Sequence, residues 1–204
     1  MKVSYNCLRR VVRIFNRKRL HNTTFSLITN NCIGGIISHD LHLRFLSPTI
    51  NLDISNEDFI RFLEHLDLYL TLDLIRIQSD EPYPVGLLRC QYGDVVLHFQ
   101  HYKSFDEAKD KWKERACRVD FSNLYIIWEA KKCDSALLQR FSGLPFQNKV
   151  VITDRKYLDL NCIFPMKKGF YSSNYQDGKI LKYPRYGLLR YLDRFDYVFF
   201  FQLR

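Results

Sequence analysis

The sequence lacks long apolar runs, paired cysteines and the short motifs that identify many enzymes. No stretch approaches the ~18 continuous apolar residues of a transmembrane helix. The six cysteines include no C-x-x-C pair, which argues against structural zinc and favours reduced thiols. Neither a G-x-G-x-x-G dinucleotide fingerprint nor a D-x-D carboxylate pair is present. We therefore predict no metal site, and the cofactor stays open, with a nucleotide-sugar donor as a candidate.

Acidic residues are absent from the first 20 positions, which hold seven of the 31 basic residues. Without these seven, the formal net charge falls from +9 to +2, so the body is nearly neutral. A neutral body disfavours nucleic-acid binding, which usually needs a basic face. Because arginines interrupt the N-terminal apolar pattern, we expect no secretion signal and a cytoplasmic protein.

The N-terminal segment has the pattern of a basic amphipathic helix. Its apolar residues recur at helical spacing: Leu8, Val11, Val12 and Phe15. The sequence predicts such a helix within residues 1–21, ahead of a single α/β domain over residues 22–204. Residues 8–19 then either lie on an anionic membrane surface, which makes the protein peripheral on the inner face of the cell membrane, or dock on the domain.

Apolar periodicity and turn residues predict alternating strands and helices over the rest of the chain. The predicted strands are 25–28, 49–54, 73–77, 85–90, 94–99, 123–128 and 149–153. The predicted helices are 56–70, 105–117, 134–141 and one beginning within 183–195, followed by an apolar segment that suits a strand. Serines begin two of the helices, Ser55 and Ser104, each with an acidic residue three positions later.

Two buried strands with a helix between them, over 123–153, indicate a βαβ unit and hence a parallel sheet. We expect a Rossmann-like three-layer domain with a mainly parallel sheet. In such sheets, ligands bind beyond the carboxyl ends of the strands. The positions after Ile28, Trp128 and Thr153 are therefore where a site is expected.

The first candidate site is the stretch "NNCIGG", directly after a predicted strand. Amides and glycines at a strand end expose backbone N–H groups and allow close approach of a sugar or phosphate. The predicted substrate-binding residues here are Asn30, Asn31, Gly34 and Gly35.

Cys32 lies inside the same stretch and has two interpretations. At a helix N-terminus the dipole lowers the pKa of a thiol, which suits a nucleophile. A straight helix places His39 about 10 Å away, too far to serve as its base. The alternative, which we favour, is a small buried residue.

The stretch "HFQHY" supplies the candidate general bases, His98 and His101, with Tyr102 beside them. If one strand covers 94–101, the two histidines point to opposite faces and cannot share a metal. If the strand ends at Phe99, His101 and Tyr102 lie on a loop and can contact a sugar hydroxyl. A satisfied core histidine is the alternative for each.

Two further pairs complete the candidates. Arg115 and Arg118, three apart on a helix, can fork a diphosphate or form a solvated face. His39 and Asp40 can act as a base and its orienting carboxylate, or simply end a helix; Asp40 also suits a sugar hydroxyl.

Several stretches together resemble a bacterial family known as domain of unknown function 1919. They are "FSLITNNCIGGIISHDL", "SPTINLDI", "EPYPVGLL", "HFQHYKSFDEAKDKWKERACRVDFSNLYII" and "GLPFQNKVVIT", within residues 22–155. Family members are commonly labelled exopolysaccharide or capsular polysaccharide biosynthesis proteins. The resemblance implies a Rossmann-like α/β fold and a role in building surface polysaccharide, and it supplies no catalytic residues.

The expected function is a transferase, glycosyltransferase-like, that acts on an activated sugar or glycan at the cytoplasmic membrane face. Asn31, Gly34, Gly35 and Asp40 would line its site, with a histidine as base and an arginine on phosphate. Two alternatives stay open: a Cys32-dependent acyltransferase or hydrolase acting on glycans, and a non-catalytic glycan-binding or assembly protein.

Overall fold

The computed structural model describes residues 5–155, 161–172, 175–185 and 187–203. Its strands are β1 Ser26–Thr29, β2 Ile75–Ile77, β3 Val85–Cys90, β4 Gly93–His98, β5 Leu124–Glu129, β6 Asn148–Thr153 and β7 Ile163–Pro165. Its α-helices are α1 Tyr5–Arg19, α2 Ile33–Asp40, α3 Asn56–Glu64, α4 Leu66–Tyr69, α5 Phe105–Ala116, α6 Ser135–Gly143 and α7 Tyr197–Phe200. The predicted α/β class is confirmed.

The strands form two separate sheets. One is parallel, with the order β1-β5-β6-β7, and contains the predicted βαβ unit β5-α6-β6. The other is a three-stranded antiparallel sheet, β2-β3-β4. The prediction of a parallel sheet is therefore confirmed for the first sheet, while the strands predicted over 73–99 form ladders only with one another.

Side chains on both faces of the parallel sheet are buried, in two distinct cores. Along β5 the side chains alternate, so Ile126 and Trp128 face one core while Tyr125 and Ile127 face the other. The first core includes buried residues of α3, α5 and α6 and of the antiparallel sheet. The second includes α2 and the C-terminal segment 166–201. Burial on both faces explains the continuous apolar run "LYIIW".

The two predicted helix starts are confirmed. Ser55 Oγ accepts from the Asp58 N–H at 3.1 Å, and Ser104 Oγ accepts from the Glu107 N–H at 3.2 Å. The predicted helix 56–70 is interrupted at His65, whose φ and ψ of −136° and 41° are not helical.

Three predicted elements are wrong. Residues 49–54 form no ladder, because Asn51 has a φ of 62° and only Asp53 makes a bridge, to His98. In 183–195 the described residues form a turn closed by the Gly187 N–H on the Pro184 carbonyl, and then one 3-10 turn at Leu192–Arg194. The apolar end of the chain, expected as a strand, is the short helix α7, capped by Asp196. Tyr186 lies outside the described residues.

The predicted N-terminal helix is confirmed as α1, and it docks on the domain through ion pairs. Arg9 contacts both Asp40 at the end of α2 and Asp193 of the C-terminal segment. Arg19 binds Asp196 at 2.5 Å. These contacts hold α1 against the second core.

Gly34 allows α2 to lie close to the end of β1. A Cβ at this position would lie 2.6 Å from Thr29 Oγ1, and Thr29 is fully buried. We expect Gly34→Ala to lower the free energy of unfolding by about 1–3 kcal/mol, because overpacking forces the strand end to shift. Chemical denaturation measures this difference.

Gly143→Ala is the matched control, since a Cβ added there would meet no atom of the described residues within 4 Å beyond its own turn of helix. It should leave stability unchanged or raise it by up to about 1 kcal/mol. An equal loss in both variants would show that close packing at Gly34 is not what matters.

Candidate functional site

A cavity of about 230 Å³ lies beyond the carboxyl ends of β1 and β5, two of the strand ends where the sequence predicted a site. The residues around it that carry reactive or hydrogen-bonding groups include Asn31, Cys32, Asp53, Gln100, His101, Glu129 and Lys131. Asp177 of the C-terminal segment also reaches it. Three acidic side chains therefore share a small enclosure with one lysine.

Glu129, the last residue of β5, has its side chain held from two sides. Its Oε2 accepts a hydrogen bond from Asn31 Nδ2 at 2.5 Å, and its Oε1 accepts one from the Tyr175 hydroxyl at 2.6 Å. Asn30 holds the backbone of the same residue, accepting from its N–H at 2.9 Å and donating to its carbonyl at 3.2 Å. Glu129 is only 1% exposed.

Burial raises the pKa of Glu129 above the ordinary range of a glutamate. The charge of Lys131 and the hydrogen bonds from Tyr175 and Asn31 lower it, without cancelling the effect of burial. The carboxyl group therefore keeps its proton to a higher pH than an exposed glutamate does. A carboxyl group whose pKa is raised in this way is suited to donating a proton during catalysis.

Lys131 lies among the acidic side chains of the cavity. Its Nζ donates to Asp177 Oδ1 at 2.7 Å and lies 3.9 Å from Asp53 Oδ1. Burial lowers the pKa of Lys131, but Glu129, Asp177 and Asp53 together outweigh it, so the net pKa is raised. Lys131 therefore stays positively charged.

Asp53 is the second carboxyl group with an altered pKa. Burial raises the pKa of Asp53 most, and Lys131 lowers it in part. Its side chain is 32% exposed, so it combines a raised basicity with access to the cavity. These are the properties of a general base.

Tyr171 places a second phenol close to Glu129. The residue is 4% exposed, and its hydroxyl interacts with the Glu129 side chain. Burial and then the Glu129 carboxylate raise the pKa of Tyr171. The phenol therefore stays protonated and available as a donor.

Cys32 is half-buried and lines the cavity, which is closer to the favoured interpretation, a small buried residue, than to a nucleophile. Burial, followed by the charge of Asp53, raises the pKa of Cys32 to about 11. The nucleophile interpretation required a lowered pKa, so it is not supported. His39 is exposed near the other end of α2 and cannot act as its base.

Most of the amides and glycines of "NNCIGG" make contacts within the protein and do not line the cavity. Asn30 and Asn31 join the end of β1 to Glu129, and only Asn31 of the two lines the cavity. Gly34 and Gly35 are buried against Thr29 and Asn51, so their lack of side chains is used for packing. They do not line the cavity.

The structure separates the residues of "HFQHY". Strand β4 ends at His98, and His101 lies exposed in a turn at the cavity, as the shorter-strand alternative predicted. His98 is half-buried and does not line the cavity, and its Nδ1 lacks a hydrogen-bond partner among the described residues. The buried Tyr102 hydroxyl donates to the Ile50 carbonyl at 3.0 Å instead of pointing to a ligand.

The two arginines expected on phosphate are engaged within the protein. Arg115 donates to the Tyr102 hydroxyl at 2.7 Å and lies over the Phe45 ring. Arg118 donates to the Phe45 carbonyl at 3.2 Å and pairs with Glu114. Both hold the loop that contains Phe45, and neither lines the cavity.

Asp40 is likewise away from the cavity. It is 5% exposed and pairs with Arg9, with Arg13 and with Arg190, the last at 2.8 Å. The predicted role as a sugar-hydroxyl acceptor does not fit a carboxylate surrounded by guanidinium groups. Its role here is to anchor α1.

Sequence reasoning missed the cavity's main titratable groups: Glu129, Lys131, Asp53 and Asp177. The usable signal was the rule that ligands lie beyond strand ends, because Glu129 directly follows Trp128. Asp53 and Asp177 come from irregular segments, whose positions no periodicity predicts.

Within the described part of the chain, no three or more His, Cys, Asp or Glu residues group so as to hold a metal ion. Nor does any helix there have the length and apolar character needed to cross a membrane.

Comparison with known proteins gives the family. The model described as Domain of unknown function (DUF1919) matches residues 3–202. The chain belongs to this family. It is also 38% identical, over 186 residues, to a protein of Haemophilus influenzae described as "Uncharacterized protein". That match covers 91% of this chain and 87% of the relative. The match to the family model includes α1 and the C-terminal segment, which lie outside the stretches that carried the resemblance.

The raised pKa of Glu129 predicts a pH-dependent effect of Glu129→Gln. A raised folded-state pKa means that the protonated form contributes stability below the unfolded pKa, and that this is lost as pH rises through the folded pKa. Above about pH 4.3, the ordinary value for glutamate, the free energy of unfolding of the wild type should fall relative to the variant. The gap should grow by about 1.4 kcal/mol for each unit of the shift.

Urea unfolding over a pH series measures this gap. Glutamine can keep both hydrogen bonds, with its oxygen facing Asn31 and its amide facing Tyr175. The control is Glu81→Gln, at an exposed loop position, whose curve should run parallel to the wild type. A gap for Glu129→Gln that stays constant with pH would contradict the assigned pKa.

Proposed function

We propose that this protein is a transferase that moves an activated group onto a hydroxyl of a glycan acceptor. The group of first choice is a glycosyl unit from a nucleotide-activated donor. In this proposal the reaction contributes to exopolysaccharide or capsular polysaccharide assembly at the cytoplasmic membrane face. The observation that carries it is the buried Glu129, whose pKa is raised, beside Lys131 and Asp53 in one cavity.

The carboxyl groups suit opposite roles in such a reaction. Asp53 is partly exposed, so it can take the proton of the acceptor hydroxyl as that oxygen attacks the transferred carbon. The bond from this carbon to the leaving group breaks as the new carbon–oxygen bond forms. Glu129, whose raised pKa favours its protonated form, can give a proton to the leaving oxygen. Solvent exchange restores both groups.

Lys131 supports the charge that develops during transfer. Its ammonium group lies between Asp53 and Asp177 and has a raised pKa, so it remains a fixed positive charge. A preorganised cation beside a leaving phosphate or alkoxide stabilises the transition state more than the ground state.

The cavity volume limits what can be enclosed. At about 230 Å³ it is below the ~300–1,000 Å³ of usual ligand pockets. The proposal therefore places only the reacting sugar inside, with the rest of donor and acceptor on the open surface near His101 and Asp177.

We also propose that the domain has a Rossmann-like, three-layer fold. The parallel strands advance in one direction from β1 to β7, as in one half of a Rossmann fold, and both sheet faces are covered. These two features support the Rossmann-like, three-layer description.

Turnover assays with Glu129→Gln test the function. The probes are UDP-glucose, UDP-N-acetylglucosamine and acetyl-coenzyme A, each with purified capsular polysaccharide fragments. Release of nucleotide or coenzyme A is the readout. We expect a nucleotide sugar to be consumed, and Glu129→Gln to lower kcat by about 100-fold or more, because it removes the acid.

A thermal-shift titration separates binding from chemistry. Glu129→Gln should keep the stabilisation that the active donor gives to the wild type, and Glu81→Gln should match the wild type in both assays. Equal turnover in Glu129→Gln would contradict the proposal. Glycan binding without release of either leaving group would show a binding protein instead, and turnover that depends on Cys32 would show thiol chemistry.

A further inference from the structure

Helix α1 is docked with its polar side toward the protein. Arg9, Arg13 and Asn16 lie on one side of the helix, at spacings of three and four. Arg9 and Arg13 contact Asp40, and Asn16 Nδ2 donates to the Tyr197 hydroxyl at 3.0 Å. The side of α1 that contacts the domain therefore carries charged and amide side chains.

The apolar side of α1 faces solvent. Val11, Ile14 and Phe15 are 58%, 49% and 59% exposed. Of the predicted stripe, only Leu8 and Val12 are half-buried. A surface helix of a globular protein normally shows the opposite arrangement, with its apolar stripe against the core. An exposed apolar face held in place by ion pairs indicates an external binding surface.

The exposed face carries uncompensated positive charge. Arg10, Arg17 and Lys18 are exposed and make no hydrogen bond or ion pair with any residue that the structure describes. The sequence of α1 contains no Asp or Glu. The inward arginines, by contrast, are paired with Asp40, Asp193 and Asp196.

A basic recess lies at the edge of this face. It has a volume of about 590 Å³ and is lined by Arg9, Arg10, Arg13, Ile14 and His42. Of its three guanidinium groups, those of Arg9 and Arg13 are paired with Asp40, and that of Arg10 is unpaired among the described residues and suits a phosphate. The recess also includes Ile14, so it joins the exposed apolar face.

We propose that the outward face of α1 binds the surface of an anionic lipid bilayer. Val11, Ile14 and Phe15 enter the boundary between headgroups and acyl chains, and Arg10, Arg17 and Lys18 contact lipid phosphates. Lying flat, the 15-residue helix covers about 22 Å of membrane. Apolar insertion together with basic contacts is how interfacial helices bind.

A second copy of the chain fits this face less well. Two copies joined through α1 would bring their unpaired basic groups together, with no acidic residue of either helix between them. Like charges in contact disfavour association. The charge complementarity is with an anionic surface.

Docking through α1 would bring the cavity close to the membrane. Helix α2 begins after Cys32 at the cavity and ends at Asp40, which contacts α1. Its eight residues span about 12 Å. Membrane binding through α1 would explain the location given under the proposed function, but it does not depend on the proposed reaction. Either proposal can therefore be wrong without the other.

Vesicle co-sedimentation of the full chain tests the proposal. The vesicles are phosphatidylcholine alone and phosphatidylcholine mixed with phosphatidylglycerol. We expect binding to the anionic vesicles that weakens as salt rises. The charge variant combines Arg10→Gln, Arg17→Gln and Lys18→Gln. Each basic residue contributes about fivefold to the affinity for an anionic membrane, so the triple variant should bind about 100-fold more weakly.

The apolar variant combines Val11→Gln, Ile14→Gln and Phe15→Gln. It should also lose binding, and it should fold normally because these side chains are exposed. The matched controls replace exposed residues elsewhere, Ile75→Gln with Phe121→Gln and, separately, Lys103→Gln, Lys109→Gln and Lys113→Gln; they should bind nearly as the wild type does.

Three results would overturn the proposal. They are no binding of the wild type to anionic vesicles, equal binding to both vesicle types, and equal loss in the matched controls. Analytical ultracentrifugation adds a fourth, a wild-type dimer that the apolar variant abolishes, which would show that a second copy covers the face.

Discussion

The buried carboxyl group of Glu129 joins three parts of the chain that are distant in sequence. Asn31, after β1, donates to one of its oxygens, and Tyr175 of the C-terminal segment donates to the other. Asn30 holds its backbone. A carboxyl group this deeply buried is stable only with such partners or with its own proton. The shape of the cavity and the ionisation of its groups both depend on this arrangement.

A second buried carboxylate, Asp40, shows how surroundings decide function. Asp40 is enclosed by the guanidinium groups of Arg9, Arg13 and Arg190, so it is held in ion pairs that anchor a helix. Glu129 has an amide and a phenol as its direct partners, and burial raises its pKa. The beginning of α2 therefore lies at the cavity that contains Glu129, and its end lies at the ion pairs that anchor α1.

Much of the fold could be predicted from the sequence, because it depends on local patterns. The buried runs at β5 and β6, the serine caps of α3 and α5 and the amphipathic α1 each have a signal within a few residues. The cavity could be predicted only as a position, beyond the strand ends. Its residues could not, since Asp53 and Asp177 arrive from irregular segments, and the neighbours that change the Cys32 pKa are set by tertiary structure. The periodicity of α1 likewise predicted an apolar face and a basic face, but not which of the two contacts the domain.

The most direct test of this account is an NMR titration of the protein with ¹³C-labelled glutamate side chains. Glu129→Gln assigns the resonance of Glu129 by its disappearance. We expect this carboxyl group to titrate above the ordinary glutamate value of about 4.3. We also expect Lys131→Met to raise its pKa further, because a nearby positive charge is lost. Titration at or below the ordinary value would show an ionised carboxylate in a structural ion pair, and would contradict the proposed role of Glu129 as an acid.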